Sequence, residues 1–185
     1  MDHGGAAPAT RGLVPVLETE RLRLRGHRAD DFPALAATWA DPEVVRHIGG
    51  TPSTAQDSWL RLLRYPGLWA LLGYGFWAIE EKAGGQVIGD IGYADFKRSI
   101  EPPLHGMPEL GWVLARDARG RGYASEALAA VLAWGKAHFG PHRATCLIAP
   151  GNTASIRLAF KAGFRLSHET VHHGETVQVF VRDET

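Results

Sequence analysis

The feature that most constrains this chain is a glycine- and arginine-rich turn between an apolar segment and a long amphipathic segment. The turn contains Gly120 and Gly122 and follows the apolar run Glu109–Leu114. It precedes Tyr123–Phe139, where apolar residues recur with the period of a helix that a Gly-Pro pair then ends. Such a turn exposes backbone N–H groups at a helix N-terminus, where anions bind. The sequence therefore predicts an α/β fold with a phosphate-binding turn.

The remaining segments also divide between strand and helix periodicity. Leu22 and Leu24 alternate with arginines as in a half-buried strand, and Thr54 begins a helix predicted to reach Arg64. Further helices are predicted from Asp30 to Ala40, in a short turn at Asp41-Pro42, and from Asn152 or Thr153 to Gly163. Further strands are predicted at 76–80, 86–93, 109–114, 145–149, 164–171 and 176–181. Gly111 in the third of these predicts a bulge or a close backbone approach. Residues 1–15 predict a disordered tail, and residues 16–185 a single domain.

Composition excludes several classes of protein. The 185 residues carry 20 basic and 20 acidic groups, so bulk charge does not favour nucleic acid or an anionic membrane as a partner. The longest uncharged stretch, residues 66–79, is shorter than the roughly 20 residues of a membrane span and contains glycines. One cysteine, Cys146, excludes a disulfide framework and predicts a buried strand residue. We expect a cytoplasmic monomer or homodimer with no metal, no nucleic acid and no membrane partner.

Two familiar nucleotide-binding turns do not match the glycine turn. The chain has no G-x-x-x-x-G-K-[ST] motif, and the run from Gly120 to Ser125 ends in serine where a dinucleotide fingerprint has glycine. The positive charge of Arg116, Arg119 and Arg121 nevertheless favours a phosphate ligand.

At this point the sequence resembles a known family. Arg119-x-x-Gly122-x-Ala124 is similar to the R/Q-x-x-G-x-G/A signature of the GCN5-related (GNAT) N-acetyltransferases, and Asn152-x-x-Ser155 also matches. Residues 17–25 resemble the branch that acetylates the N-termini of ribosomal proteins. The resemblance implies a mixed, mostly antiparallel central sheet with flanking helices and a splayed central strand pair. It also implies an acetyl-CoA-dependent enzyme that acetylates a primary amine, on a protein N-terminus or a small molecule, by direct attack.

The resemblance also implies a set of cofactor-binding residues. The pantetheine arm of acetyl-CoA would pair with the strand predicted at 109–114, and the pyrophosphate would lie on the glycine turn. Asn152 would hold the arm or the loop. A backbone N–H near Val113 would stabilise the oxyanion. The implied acetyl-CoA residues are Trp112, Val113, Leu114, Arg116, Arg119, Gly120, Arg121, Gly122, Tyr123, Ala124 and Asn152.

Two residues are candidates for catalysis. Glu109 opens the splayed strand and is the candidate general base, with Asp90 and His105 as alternatives. Many family members carry a tyrosine as general acid where this chain has Ala159, so Ser155, which matches the resembled branch, is the candidate donor to the leaving sulfur. The departure at Ala159 keeps open a non-catalytic CoA-binding module of the same fold.

Charge is distributed unevenly along the chain. Residues 29–115 carry 6 basic and 11 acidic groups, whereas residues 116–168 carry 8 basic and 2 acidic groups. The basic block coincides with the implied cofactor turn. The acidic block coincides with the implied acceptor side, where Trp59 and Trp69 are also expected, so the sequence predicts a positively charged amine as acceptor.

Overall fold

The computed structural model describes residues 14–104 and 106–184. The strands are β1 (Leu17–Glu18), β2 (Leu22–Arg25), β3 (Phe76–Glu81), β4 (Gln86–Ala94), β5 (Glu109–Leu114), β6 (His142–Ile148), β7 (Arg165–His172) and β8 (Glu175–Glu184). The helices are α1 (Phe32–Ala40), α2 (Pro42–Val45), α3 (Ala55–Leu72), α4 (Tyr123–Phe139) and α5 (Thr153–Lys161), with short 3₁₀ turns at Ala29–Asp31 and Arg116–Ala118. None of the helices within the described ranges is both long and apolar enough to cross a bilayer.

The eight strands form one mixed sheet that is open at its centre. Their order is β1-β2-β3-β4-β5-β6-β8-β7, and every neighbouring pair is antiparallel except β5 and β6. The parallel pair is joined in register only at Glu109 and Thr145, after which the two strands diverge. The predicted α/β fold with a splayed central pair is confirmed. The divergence leaves one side of β5 without a strand partner.

Alternation along the strands builds a core on each face of the sheet. Trp77, Ile91 and Leu110 pack on the face covered by α4, whereas Phe76 and Val113 pack on the face covered by α1 to α3. Successive strand residues point to opposite faces, so adjacent apolar residues such as Phe76 and Trp77 can fill both cores. The sheet is therefore buried on both sides, and the gap beside β5 is walled by helices.

Three local predictions change in the structure. Helix α3 does not end at Arg64 but continues through Pro66 to Leu72, because Tyr65 and Trp69 lie one turn apart and are both buried. Strand β6 begins at residue 142 rather than 145. Gly111 lies in a continuous register with β4 and forms no bulge, and what lies close to it is a side chain rather than the backbone that was predicted. A Cβ there would be 3.1 Å from the ring of Phe76.

Candidate active site

Two cavities meet where β5 and β6 diverge. The first, of about 390 Å³, lies between β5, α5 and the N-terminus of α4, and is called here the α4 cavity. The second, of about 290 Å³, lies between β5, β6, α1 and α3, and is called here the α3 cavity. The residues lining both are His47, Ile48, Trp112, Val113, Asn152 and Ser155. These shared residues form a wall common to both cavities, which is called here the junction.

The glycine turn presents uncapped backbone donors to the α4 cavity. Gly120 and Gly122 both adopt left-handed backbone conformations, with φ of 74° and 83°, which non-glycine residues avoid. No side chain caps the N-terminus of α4. The first N–H groups of a helix have no intrahelical partner, and they carry the positive end of the helix dipole. Residues 122–125 line this cavity, as the anion-binding prediction requires.

Arg119 lies at the α4 cavity and is fixed by backbone carbonyls. Its Nε donates to Leu114 O and its Nη1 donates to Glu43 O, both at 3.2 Å. Two further cations from α5, Arg157 and Lys161, line the same cavity and were missed in the sequence. Their i, i+4 spacing on the helix that follows Asn152 was the available signal.

Arg116 and Arg121 were expected beside the phosphates, but neither lines the α4 cavity. Arg116 donates to Asp41 at 2.5 Å, and its positive charge holds the pKa of that carboxyl below the ordinary value. Arg121 lies 3.1 Å from Glu81, which also accepts a hydrogen bond from the Tyr123 hydroxyl. Acidic partners from distant segments thus hold both arginines outside the cavity.

The backbone of β5 directs different peptide groups to its two sides. Ala115 N donates to Ile88 O at 2.9 Å, on the β4 side. Alternate residues of a strand point their N–H and C=O groups to the same side, so the peptide groups of Val113 also face β4. Those of Trp112 and Leu114 face the open side, consistent with the bond from Arg119 to Leu114 O. The expected donor near Val113 is therefore the N–H of Trp112 or Leu114.

Ser155 lies at the junction with its hydroxyl oriented by a neighbour. Trp112 Nε1 donates to Ser155 Oγ at 3.2 Å, so the serine oxygen is an acceptor there and its proton can be donated elsewhere. Asn152 caps α5 by accepting from Ser155 N at 3.1 Å. Ala159, one turn further along α5, is wholly buried in the core and lines neither cavity. A side chain at residue 155, and not at 159, therefore reaches the junction.

Glu109 lines the α3 cavity but is held by an arginine. Arg98 donates to both carboxylate oxygens, Nε at 2.6 Å and Nη2 at 2.7 Å. Arg98 Nη1 also lies 2.7 Å from His172 Nε2. Burial and the positive charge of Arg98 lower the pKa of His172, so the neutral ring accepts this hydrogen bond. Each oxygen of Glu109 retains a second lone pair that can accept a proton through water.

The two alternative candidates for the general base, Asp90 and His105, are not placed at the cavities by the structure. Asp90 is buried behind the cavity wall, where it accepts hydrogen bonds from His27 at 2.7 Å and Trp39 at 3.2 Å. It lines neither cavity, so no substrate group there can reach it directly. His105 lies outside the described residues. His47, which no sequence pattern indicated, lines both cavities and is a further candidate base.

The charge of the α3 cavity differs from the sequence expectation. Of the 11 acidic groups between residues 29 and 115, only Glu109 lines it, together with three arginines, Arg61, Arg64 and Arg98. Five of the other ten form salt bridges with arginines away from this cavity, so the cavity does not gather the acidic excess of this segment; the five are Asp31, Asp41, Glu43, Glu80 and Glu81. Trp59 and Trp69 also lie outside this cavity, whereas Trp39 and Trp112 line it.

Comparison with known proteins agrees with this geometry. Residues 21–165 match the sequence model of the acetyltransferase (GNAT) domain. The chain is 30% identical over 153 residues to the uncharacterized N-acetyltransferase p20 of Bacillus licheniformis, a match covering 82% of this chain and 83% of that protein. It is similar to the solved acetyltransferase from Agrobacterium tumefaciens, with a TM-score of 0.78, 30% identity, and coverage of 92% and 95%. The fold is also similar to that of RimL, a ribosomal L7/L12 α-N-protein acetyltransferase in complex with coenzyme A, with a TM-score of 0.72, 17% identity, and coverage of 91% and 98%.

Proposed function

This chain belongs to the GNAT acetyltransferase family, and from that premise we propose that it acetylates a primary amine, on a protein N-terminus or a small molecule, by direct attack on acetyl-CoA. One observation carries the proposal. Two cavities lie beside the splayed strand pair and share a junction that contains Ser155. One cavity has the donors for a polyanionic tail, and the other has room for an acceptor.

The residues of the α4 cavity fit acetyl-CoA. When bound, that molecule supplies an acetyl thioester and a polyanionic tail. The uncapped N-terminus of α4 would accept phosphate oxygens, and Arg119, Arg157 and Lys161 would add positive charge. The open side of β5 offers Trp112 and Leu114 peptide groups to an extended arm. The similarity in fold to a RimL structure containing coenzyme A supports this use of the cavity.

Acid and base roles follow from the junction. The N–H of Trp112 or Leu114 would stabilise charge on the carbonyl oxygen. The Ser155 hydroxyl, whose oxygen already accepts from Trp112, would donate to the departing sulfur. Glu109 would take the proton of the amine, directly or through water, while Arg98 holds the carboxylate in place.

Direct attack of the amine on acetyl-CoA agrees with the burial of Cys146, the one cysteine of the chain. Cys146 lies in the wall of the α3 cavity but is 1% exposed, and burial raises the pKa of its thiol. A neutral thiol is a poor nucleophile, so Cys146 is not suited to carry the acetyl group. Cys146→Ala should therefore retain turnover.

The first experiment tests the cofactor cavity by calorimetric titration with acetyl-CoA. We expect Lys161→Gln and Arg157→Gln each to weaken binding about tenfold, because each removes a charge-assisted contact. Arg116→Gln and Arg121→Gln test the sequence prediction for the paired arginines, and we expect effects below about threefold. Acetyl-CoA should also protect residues 119–124 from proteolysis. No binding of acetyl-CoA to the unaltered chain would contradict the proposal.

The second experiment separates an enzyme from a CoA-binding module. Release of free CoA is followed with a panel of amines and of peptides with free N-termini, for the unaltered chain, Glu109→Gln and His47→Gln. An enzyme with Glu109 as base should lose about 100-fold or more in kcat in Glu109→Gln while binding acetyl-CoA normally. A large loss of kcat in His47→Gln, with little loss in Glu109→Gln, would indicate that His47 is the base. Binding of acetyl-CoA without turnover on any amine would favour the non-catalytic module.

A further inference from the structure

We propose that the amine acceptor carries an anionic group, a carboxylate or a phosphate, on an apolar and preferably aromatic body. This inference rests on the proposed function, since it concerns the acceptor side of the same site. It replaces the cationic amine that the distribution of charge along the chain predicted.

Net positive charge at the α3 cavity is the first observation. Arg61, Arg64 and Arg98 line the cavity together with a single carboxylate, Glu109. Glu109 is already bound on both oxygens by Arg98. Two guanidinium groups therefore remain without a carboxylate at this cavity, and a cationic amine would be repelled by them.

The surroundings of these two arginines indicate a site for an anion. In the part of the chain that the structure describes, neither Arg61 nor Arg64 forms a salt bridge, and Arg61 Nε is buried without a hydrogen-bond partner. The Arg61 guanidinium lies 3.5 Å from the ring centroid of Trp39, which fixes its plane. Arg64 is exposed overall, but partial burial of its guanidinium and the neighbouring charges of Arg61 and Arg98 lower its pKa. An unpaired buried donor costs stability, and a carboxylate or phosphate would satisfy it bidentately.

The walls between the arginines and the junction specify the rest of the acceptor. Trp39, Tyr65, Phe76, Phe96 and Trp112 line the α3 cavity. Tyr65 and Phe76 are stacked with ring centroids 5.0 Å apart, so they form a rigid apolar surface. Aromatic walls with a few fixed polar groups are typical of a small-ligand site. The chemistry fits an aromatic amino acid, or a peptide N-terminus followed by an aromatic residue and an acidic residue.

The test compares pairs of acceptors in which an anionic group is replaced by a neutral or a cationic one. L-Phenylalanine is assayed against L-phenylalaninamide, and the peptide Ala-Phe-Asp-amide against Ala-Phe-Lys-amide, with free CoA as the readout. We expect kcat/KM at least tenfold higher for the anionic member of one pair, the loss of a charge-assisted hydrogen bond being the cause. The pair that shows the preference distinguishes a free carboxylate from an acidic peptide.

Variants then assign the preference to the arginines. Arg64→Gln should remove most of the preference for the anionic acceptor. Arg61→Gln, which also loses the contact with Trp39, should do the same. Arg165→Gln, an exposed arginine on β7 that pairs with Asp183, is the matched control for loss of one positive charge and should retain the preference. Equal or faster turnover of the neutral and cationic members would overturn the inference and leave the proposed function intact.

A binding measurement covers the case without turnover. N-acetyl-L-phenylalanine and its amide are titrated into the chain in the presence of CoA. Tighter binding of the carboxylate, lost in Arg64→Gln, would support the anion site even if no amine is acetylated. If neither compound binds and both amines turn over equally, the α3 cavity does not recognise an anion.

Discussion

Replacing Ser155 by alanine tests the catalytic role of the junction most directly. The hydroxyl oxygen accepts from Trp112 Nε1 at 3.2 Å, whereas the α5 cap uses the backbone N–H of residue 155 on Asn152 at 3.1 Å. Alanine removes the first bond and keeps the second. The variant therefore separates the chemistry of the hydroxyl from the folding of the helix.

The structural cost of this change is small. A typical hydrogen bond contributes about 0.5–1.5 kcal/mol, and the indole N–H of half-buried Trp112 can be hydrated instead. For a chain of this size 1 kcal/mol corresponds to a shift of about 2–4 °C in Tm. We therefore expect Ser155→Ala to lower Tm by at most about 6 °C and to leave acetyl-CoA affinity unchanged.

The catalytic cost should be much larger. A positioned acid typically contributes about 10²–10⁴-fold to the rate, so kcat should fall at least about 100-fold at saturating acetyl-CoA. The assay is absorbance of the released thiol. Thr153→Ala removes an exposed hydroxyl from the same helical turn, at a position that lines neither cavity, and is the matched control. If Ser155→Ala keeps more than half of the kcat, the Ser155 hydroxyl does not donate a proton to the departing sulfur and has only a structural place in the first turn of α5.

Two predictions concern stability. Gly135→Ala should destabilise the chain by about 1–3 kcal/mol in urea melts, because a Cβ there would be 2.3 Å from the Tyr93 hydroxyl. Gly67→Ala, in a helix with open space around it, should instead stabilise by up to about 1 kcal/mol; equal effects would contradict the packing argument. Burial opposes ionisation of Asp31, but hydrogen bonds from Arg25 outweigh it and hold the pKa of this carboxyl below its ordinary value of 3.8. Its contribution is therefore present above about pH 4 and lost as pH falls further. Asp31→Asn should cost about 3 kcal/mol at pH 7 and progressively less as the pH falls below about 4, and a cost independent of pH would refute this.

Local sequence was enough to predict where helix α4 and helix α5, which line the α4 cavity, begin. Helix α4 begins and ends where its pattern predicts, at Tyr123 and Phe139, because the glycine turn and the Gly-Pro stop act within a few residues. For the same reason the cap of α5 was predicted at Asn152 or Thr153, and the structure has it at Asn152. Helix α3 was predicted too short because its last turns depend on the burial of Trp69 against the sheet, which no local signal reports.

Which charged side chains reach the two cavities was decided only by the tertiary structure. Arg116 and Arg119 are three residues apart, yet Asp41, 75 residues away in sequence, holds the first outside the α4 cavity. The acidic excess between residues 29 and 115 is likewise reduced by basic partners from outside that segment, as in the pairs of Arg25 with Asp31 and of Arg121 with Glu81.

The sequence by itself determined the α/β class and the glycine turn before α4, since these depend on backbone conformation and hydrophobic period along a short stretch of chain. Its motifs indicated the family by resemblance. Only the folded chain decided the charge of the α3 cavity. Coulomb interactions depend on distances in space. The fold brings Arg61 and Arg64 of helix α3 together with Arg98, which follows strand β4, at a cavity that only one carboxylate lines.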